Sequence, residues 1–410
     1  MKLGLIGYPL EHSWSPEIHA YLIHEPYECY PLKEEEVIPF LQQRSFDGIN
    51  VTIPYKQMVI PYLDYLDPAV EKIGAVNCIV NRCGKLYGYN TDYEGFKDML
   101  LANHVPVKGK KVAILGTGGA SAAIKEAIRS LEGLPTLVSR HPSSGSISYE
   151  ELYRDSSYTI LVNTTPIGMF PNCDACPVDL ERLVKLEYVI DIVANPLCTR
   201  LQFEARALGI PTLGGFEMLV RQALAADRLF LHCDISSAKI SGCMHSLLLE
   251  RRNIILIGMP SCGKSLLAKK LGKRTGRKVV EMDKEIEEKM GMSIGECFAS
   301  KGEAYFRKQE EEAAKRHRLG DGSIISCGGG VVTQQETMWY LCENGIVIWI
   351  NRDLSHLIAT KDRPLSKDRH ALENLWYKRA SYYKKYSQII VDNNGTLEES
   401  LQQLEAVIGG

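Results

Sequence analysis

Lys111-Val112-Ala113-Ile114-Leu115-Gly116-Thr117-Gly118-Gly119-Ala120 decides the fold of the first half of the chain. The apolar run reads as a buried strand, the glycines as a tight turn, and residues 120–130 as a helix. A strand that passes through glycines into a helix N-terminus is a phosphate cradle. The glycines let the backbone approach a pyrophosphate, and the helix start offers N–H donors at its positive end. Outward from this point, 136–139, 158–163 and 188–192 read as further strands, which is the alternation of a doubly wound parallel sheet. The strand after the cradle ends in Ser139-Arg140. An acidic residue there would hold a ribose 2′-hydroxyl, whereas an arginine suits a 2′-phosphate, so NADP is expected over NAD.

A cradle of another kind stands at Gly258-Met259-Pro260-Ser261-Cys262-Gly263-Lys264-Ser265, directly after Ile254-Ile255-Leu256-Ile257. This is the P-loop spacing. Backbone N–H groups wrap the phosphates of ATP, Lys264 reaches the transferring group, and Ser265 is a Mg²⁺ ligand. Strands at 253–257, 278–281, 323–326 and 346–350 give a further α/β series with a parallel sheet. Two cradles of different kinds imply two reactions, a hydride transfer and a phosphoryl transfer.

A chain of 410 residues is too long for one ordinary domain. Apolar residues at 45% and charged residues at 24% fit a globular protein. The net charge of −2, with no Lys/Arg block, argues against a nucleic-acid partner. No apolar run reaches membrane-spanning length, and residues 1–7 read as a first strand rather than a signal peptide. With no secretory signal, the twelve cysteines read as reduced thiols of a cytoplasmic protein. Cys173 and Cys176 form a CxxC that lacks a partner pair at metal spacing, so a structural or incidental role is expected.

The first 100 residues also alternate, with strands at 2–7 and 48–53 and a helix opening at Ser15-Pro16-Glu17. Ser15 is expected as its N-cap and Pro16 in its first turn. Residues 214–231 read as a long amphipathic helix. The expected division is 1–100, 101–235, a connector at 236–252, and 253–410. The halves on either side of the connector are expected to work independently.

The N-terminal part carries Gly7-Tyr8-Pro9-Leu10-Glu11-His12-Ser13-Trp14-Ser15-Pro16 and Asn50-Val51-Thr52-Ile53-Pro54-Tyr55-Lys56. Gly74-Ala75-Val76-Asn77 and Gly88-Tyr89-Asn90-Thr91-Asp92-Tyr93-Glu94-Gly95 follow, then Asn163-Thr164-Thr165-Pro166 and Gly214-Gly215-Phe216-Glu217-Met218. In this order, over residues 1–235, the set resembles shikimate dehydrogenase. The resemblance implies that 1–100 is a substrate-binding domain and 101–235 a Rossmann domain for NADP(H). It implies that Lys56 and Asp92 do the acid–base work on a ring ketone. It further implies that Ser13, Ser15, Thr52, Asn77, Asp92 and Gln222 hold the substrate. Gly116, Gly118, Gly119, Ala120, Ser139, Arg140, Ile192 and Gly215 would hold the dinucleotide. After Asp191-Ile192-Val193 the family usually has a tyrosine that touches the substrate. Here Ala194 stands, which loosens the expected selectivity between shikimate and quinate.

Residues 253–400 resemble shikimate kinase through Glu281-Met282-Asp283, Gly302-Glu303-Ala304-Tyr305-Phe306-Arg307, Cys327-Gly328-Gly329-Gly330, Arg363-Pro364-Leu365 and Arg379. The resemblance implies that Asp283 receives the acceptor hydroxyl and that Arg307 and Arg379 clamp a carboxylate. Gly328, Gly329 and Gly330 would let backbone approach the ring. Gly258, Ser261, Cys262, Gly263, Lys264 and Ser265 would hold ATP, with Arg363 on a lid. Ser265 and Glu281 would serve Mg²⁺; Glu281 stands where the family usually has aspartate. The lid at 358–366 looks short, with Ala359-Thr360 where arginine is usual.

The two resemblances meet on one small molecule. The first half would reduce 3-dehydroshikimate to shikimate and the second would phosphorylate shikimate. A quinate-type dehydrogenase fused to a kinase is the nearest alternative. A non-catalytic sensor derived from these enzymes is the other, but it should lack Lys56, Asp92, Lys264 or Asp283, and all four are present. Neither nucleic acid nor membrane is an expected partner, and no oligomeric state is implied.

Overall fold

The computed structural model describes residues 1–10, 13–249, 251–358 and 368–409. The chain divides into two compact units, Met1–Asn195 with Leu208–Leu247, and Pro196–Ala207 with Leu248–Gly410.

The first unit holds two sheets. One contains β1 (Leu3–Ile6), β2 (Tyr27–Tyr30), β3 (Gly48–Val51), β4 (Tyr65–Leu66), β5 (Cys78–Arg82) and β6 (Lys85–Tyr89), in the order β2-β1-β3-β5-β6-β4. Strand β1 runs parallel to β2 and β3, while β5 is antiparallel to both β3 and β6. Ile6, Ile49, Val51 and Ile79 of this sheet pack with Val37, Leu41 and Val70 into a core. Helix α1 (Ser15–Ile23) lies between β1 and β2 in sequence, and α2 (Thr91–Ala102) follows β6. Trp14 rather than Ser15 stands at the N-cap of α1, in helical conformation and without a side-chain cap bond. Ser15 is already helical, and its N–H donates to Ser13 Oγ at 3.2 Å, so the accepting role falls two residues earlier than expected.

The second sheet contains β7 (Lys111–Leu115), β8 (Leu134–Val138), β9 (Ser146–Ile147), β10 (Ile160–Asn163), β11 (Tyr188–Asp191) and β12 (Thr212–Gly214). Its order is β12-β11-β10-β7-β8-β9, and every pairing is parallel. Helix α3 (Gly119–Ser130) follows β7 and buries Ala123, Ile124, Ala127 and Ile128, a stripe at helical spacing. The chain leaves β7 toward β8 and later crosses back to place β10 on its other side. The strand order reverses there, so a crevice opens at the carboxyl end of β7, beyond Leu115.

Helix α4 (Arg200–Ala207) lies in sequence between β11 and β12 but belongs to the second unit. Helix α5 (Gly215–Leu231) returns to the first unit, where it packs on α2 and α1. Residues 236–252, expected as a connector, carry a further helix, α6 (Lys239–Leu249), with Ile240 and Cys243 buried.

The second unit has one parallel sheet of β13 (Asn253–Ile257), β14 (Val279–Glu281), β15 (Ile324–Ser326), β16 (Gly345–Asn351) and β17 (Ile389–Asp392), in the order β14-β15-β13-β16-β17. Its helices include α7 (Lys264–Thr275), α8 (Met282–Met290), α9 (Gly302–Arg316), α10 (Gln335–Glu343) and α11 (Arg369–Tyr386). The 196–207 segment is tied firmly into this unit. Cys198 N donates to Glu343 O at 3.0 Å, and Arg200 forks onto Glu336 at 2.8 and 2.9 Å. Phe203 is buried, stacked on Tyr386 with centroids 5.8 Å apart and tilted against Trp339 at 5.5 Å.

Candidate active sites

In the first unit, Lys56 and Asp92 meet although they lie 36 residues apart, with Lys56 Nζ 2.5 Å from Asp92 Oδ2. Asp92 is in the first turn of α2, where a carboxylate is favoured by the helix dipole. Both side chains keep some exposure, 21% and 14%, so the pair is open to a ligand. Next to it lies a buried polar cluster. Asn77 Oδ1 accepts from Thr91 N at 2.6 Å, Asn77 Nδ2 donates to Thr91 Oγ1 at 3.1 Å, and Thr91 Oγ1 donates to Gln222 Oε1 at 3.2 Å. This cluster joins three parts of the chain: the loop before β5, the start of α2, and α5. Thr52 follows β3, its N–H donating to Ile6 O at 2.9 Å. Ser13 and Ser15 stand at the start of α1. Thr91, the residue that ties Asn77 to Gln222, was not singled out from sequence; its place directly before Asp92 was the available signal.

The glycine turn after β7 leads directly into α3. Gly116 has φ +112, Gly118 is the extended N-cap of α3, and Gly119 and Ala120 begin the helix, leaving its first N–H groups facing the crevice. The turn is held from behind by Thr164, whose Oγ1 donates to Leu115 O at 2.6 Å and lies 2.7 Å from Ser121 Oγ. A Cβ on Gly119 would lie 3.5 Å from Ala75 Cβ, so the cradle stands beside the Gly74–Asn77 motif of the substrate part. Ser139 Oγ donates to His141 O at 3.1 Å, and Arg140 is exposed at the carboxyl end of β8. A free helix start, an open glycine turn and an exposed guanidinium form a donor set that fits a phosphorylated dinucleotide. Ile192 and Gly215 are in contact: a Cβ on Gly215 would lie 2.1 Å from Ile192 O, so only glycine fits where α5 begins.

In the second unit, a cavity of about 640 Å³ is lined by Lys264, Ser265, Glu281, Asp283, Arg307, Glu310, Gly328, Gly329, Gly330 and Arg379. Thus a P-loop lysine and two buried arginines, Arg307 and Arg379, face one space. Lys264 Nζ donates to Gly258 O and Met259 O, both at 2.9 Å, and lies 3.7 Å from Cys262 Sγ. Ser261 has φ +63, and its Oγ donates to Ile358 O at 2.8 Å. A Cβ on Gly263 would meet Asn393 Nδ2 at 2.6 Å. Asn393 in turn donates to Cys262 O at 2.7 Å, so a residue beyond β17 braces the phosphate loop from behind. Asn393 was missed by sequence reasoning because it lies in an ordinary-looking turn.

Ser265 Oγ lies 3.4 Å from Ser326 Oγ, and Glu281 Oε1 accepts from Lys269 at 2.9 Å and Lys284 at 3.3 Å. Burial alone would raise the Glu281 carboxyl, but the two lysines outweigh it and hold the group below its ordinary value. A hydroxyl and an ionised carboxylate on the wall of one cavity are the oxygen donors that suit Mg²⁺. Arg307 bonds Glu303 on one side and Glu310 on the other. Glu310 stands three residues on along the same helix, and Arg307, while paired with it, also lines the cavity. Glu310 is fully buried, and among the described residues its Oε1 has no hydrogen-bond partner. Burial pushes its carboxyl up to about 7 against the pull of Arg307. A Cβ on Gly328 would lie 2.5 Å from Asp283 Oδ1 and 3.0 Å from Glu310 Oε1, so glycine is what lets these two carboxyls sit over the backbone. Tyr383 donates to Gly329 O and fixes that loop. Arg363 and most of the expected lid lie outside the described residues.

Cys173 is buried, and Cys176 Sγ donates to Val178 O at 3.2 Å; among the described residues no group of His, Cys, Asp or Glu has the arrangement of a metal site. No helix among the described residues is long and apolar enough to cross a membrane.

Comparison with known proteins covers both halves of the chain. Residues 5–79 match the family model described as shikimate dehydrogenase substrate binding domain, and residues 260–408 match shikimate kinase. The NADP⁺ shikimate dehydrogenase of Clostridium beijerinckii is 36% identical over 257 residues, which are 58% of this chain and 95% of that protein. Among solved structures, a chorismate mutase/shikimate 5-dehydrogenase fusion protein from Clostridium acetobutylicum aligns with TM-score 0.57 and 31% identity, covering 60% of this chain and 96% of the other. Shikimate 5-dehydrogenase from Thermus thermophilus, in complex with NADP(H) and shikimate, aligns with TM-score 0.56 and 30% identity, covering 60% and 99%. The chain belongs to the shikimate dehydrogenase family and carries a shikimate kinase domain behind it, which makes it a bifunctional, NADP- and ATP-dependent enzyme of the shikimate pathway.

Proposed function

We propose that Lys56 and Asp92 are the acid–base pair of the dehydrogenase, and that the cavity bounded by Lys264, Asp283, Arg307 and Arg379 is the site where the product is phosphorylated at its 3-hydroxyl. The observation that carries the first assignment is the 2.5 Å contact between Lys56 and Asp92 beside the Asn77–Thr91–Gln222 cluster.

NADPH, when bound at the Gly116–Gly119 turn, supplies the hydride. Lys56 holds the proton that the ketone oxygen takes up, and Asp92 holds the ammonium in place and assists its reprotonation. Ser13, Ser15, Thr52, Asn77 and Gln222 offer hydroxyls and amides of the kind a polyhydroxylated ring needs. Ala194 offers no hydroxyl, so selectivity between shikimate and quinate rests on the remaining contacts.

In the second unit, Arg307 and Arg379 would clamp the substrate carboxylate, where two guanidinium forks fix orientation as well as charge. Asp283 would accept the hydrogen bond of the attacking hydroxyl and orient it. Lys264 would move from its own loop carbonyls to the phosphates. Mg²⁺, when held by Ser265 and Glu281, neutralises phosphate charge.

The proposed division is 1–100 for substrate, 101–235 for dinucleotide and 253–410 for phosphoryl transfer, in a cytoplasmic protein. Whole chain given 3-dehydroshikimate, NADPH and Mg-ATP should consume NADPH and yield shikimate 3-phosphate by mass. Accumulation of shikimate would refute the kinase assignment, and unchanged NADPH would refute the dehydrogenase one.

A further inference from the structure

Gln222 is not the only polar residue that α5 sends into the first unit. Five residues on, Asp227 is fully buried, and its Oδ1 lies 2.6 Å from Nδ1 of His19, also fully buried, on α1. Among the described residues, neither outer atom, His19 Nε2 nor Asp227 Oδ2, has a hydrogen-bond partner. The Tyr27 ring from β2 stacks on His19, with centroids 4.0 Å apart and planes 11° from parallel. Tyr27 OH donates to Asn50 Oδ1 at 2.8 Å, and Asn50 Nδ2 donates to Asn77 O at 3.2 Å. Asn77 is bonded to Thr91, and Thr91 to Gln222. The chain of contacts, buried except at Tyr27, therefore leaves α5 at Asp227 and returns to it at Gln222, passing through α1, β2, β3 and the start of α2.

We propose that His19 and Asp227 are positioning residues of the dehydrogenase site: they clamp the helix that begins at Ser15 to the helix that carries Gln222, and the ring through Tyr27 and Asn50 holds Asn77 and Gln222 in substrate-binding geometry. The inference rests on the substrate-site assignment made above. Its physical basis is that an apolar pair of similar volume would join two helices at least as well, because desolvation offsets the gain from a buried polar pair. What a 2.6 Å bond with two bare outer atoms adds is direction. Ser15 lies about one helical turn before His19, and Gln222 about one and a half turns before Asp227, so a small rotation at the clamp would move both ligating side chains.

The test uses the full chain, with kinase turnover as an internal control of integrity. Tyr27→Phe keeps the stack on His19 and removes only the link to Asn50. It should raise KM for 3-dehydroshikimate about three- to tenfold, in the range of one buried hydrogen bond, with kcat little changed and the thermal midpoint lowered by about 2–4 °C. Asp227→Ala should raise KM further, and Asp227→Asn, which can still accept from His19, should restore most of it. If Tyr27→Phe leaves KM unchanged, or if Asp227→Ala lowers kcat and folded fraction together at constant KM, the clamp is merely structural and the proposal falls. Gln222→Ala separates the two layers. If it raises KM while the clamp variants do not, only the positioning role fails. If it too leaves KM unchanged, the site assignment itself is wrong.

Discussion

Substituting Glu310→Gln removes an ionisable group from the wall of the second unit's cavity without changing its size. The buried carboxyl titrates at about 7 instead of the ordinary 4.5. A carboxyl with a raised folded pKa favours the folded state fully below its unfolded pKa. That contribution is lost as pH rises through the folded pKa, because the folded protein then holds a charge in a desolvated place. At about 1.4 kcal/mol per pKa unit the full effect is about 3 kcal/mol, and most of it develops between pH 5 and 8. Near-complete burial leaves little solvent screening to reduce it. Trp339, Trp349 and Trp376 report on this unit, since Trp14 is the only other tryptophan in the sequence. Denaturant unfolding of the whole chain followed by tryptophan fluorescence should therefore show the second unit losing about 2–3 kcal/mol from pH 5 to 8 relative to Glu310→Gln. Equal pH slopes for the two proteins would refute the reasoning, and would mean that Arg307 holds Glu310 ionised throughout.

Lys56→Met should lower dehydrogenase kcat by a factor on the order of 10² or more and leave kinase turnover untouched, as separate assays on one preparation would show. Asn393→Ala leaves Cys262 O without its donor and should raise KM for ATP, with about 1–3 kcal/mol lost from the second unit, read by nucleotide titration and denaturant unfolding. Phe203→Ala should destabilise the second unit by about 3–5 kcal/mol, although residue 203 lies in sequence among the strands of the dinucleotide sheet. A shift confined to the first unit's transition would contradict that packing.

The two cradles were legible because their function constrains backbone: glycines at fixed spacing between a strand and a helix leave few alternatives. Lys56 and Asp92 could be named but not placed, since nothing in the intervening residues says that they touch. Asn393 and Thr91 act by bracing neighbours, and a bracing residue has no signature until the chain has folded. The same limit applied at α4. Its sequence shows that Phe203 wants burial, but an amphipathic pattern does not say against what. The N-cap of α1 shows a smaller failure of this kind, where a Ser-Pro pair had a competitor, Ser13, two residues earlier.

The excursion of residues 196–207 into the second unit has a consequence for synthesis on the ribosome. Phe203 emerges with the strands of the first unit, yet Trp339 and Tyr386, against which it packs, are made well over a hundred residues later. At roughly 5–20 residues per second that delay is on the order of ten seconds, far longer than helix formation or collapse requires. During that interval the segment has no native partner for its aromatic face. A nascent-chain binding factor would find its target there, and a ribosome stall between residues 250 and 330 would leave that face exposed on an otherwise foldable chain.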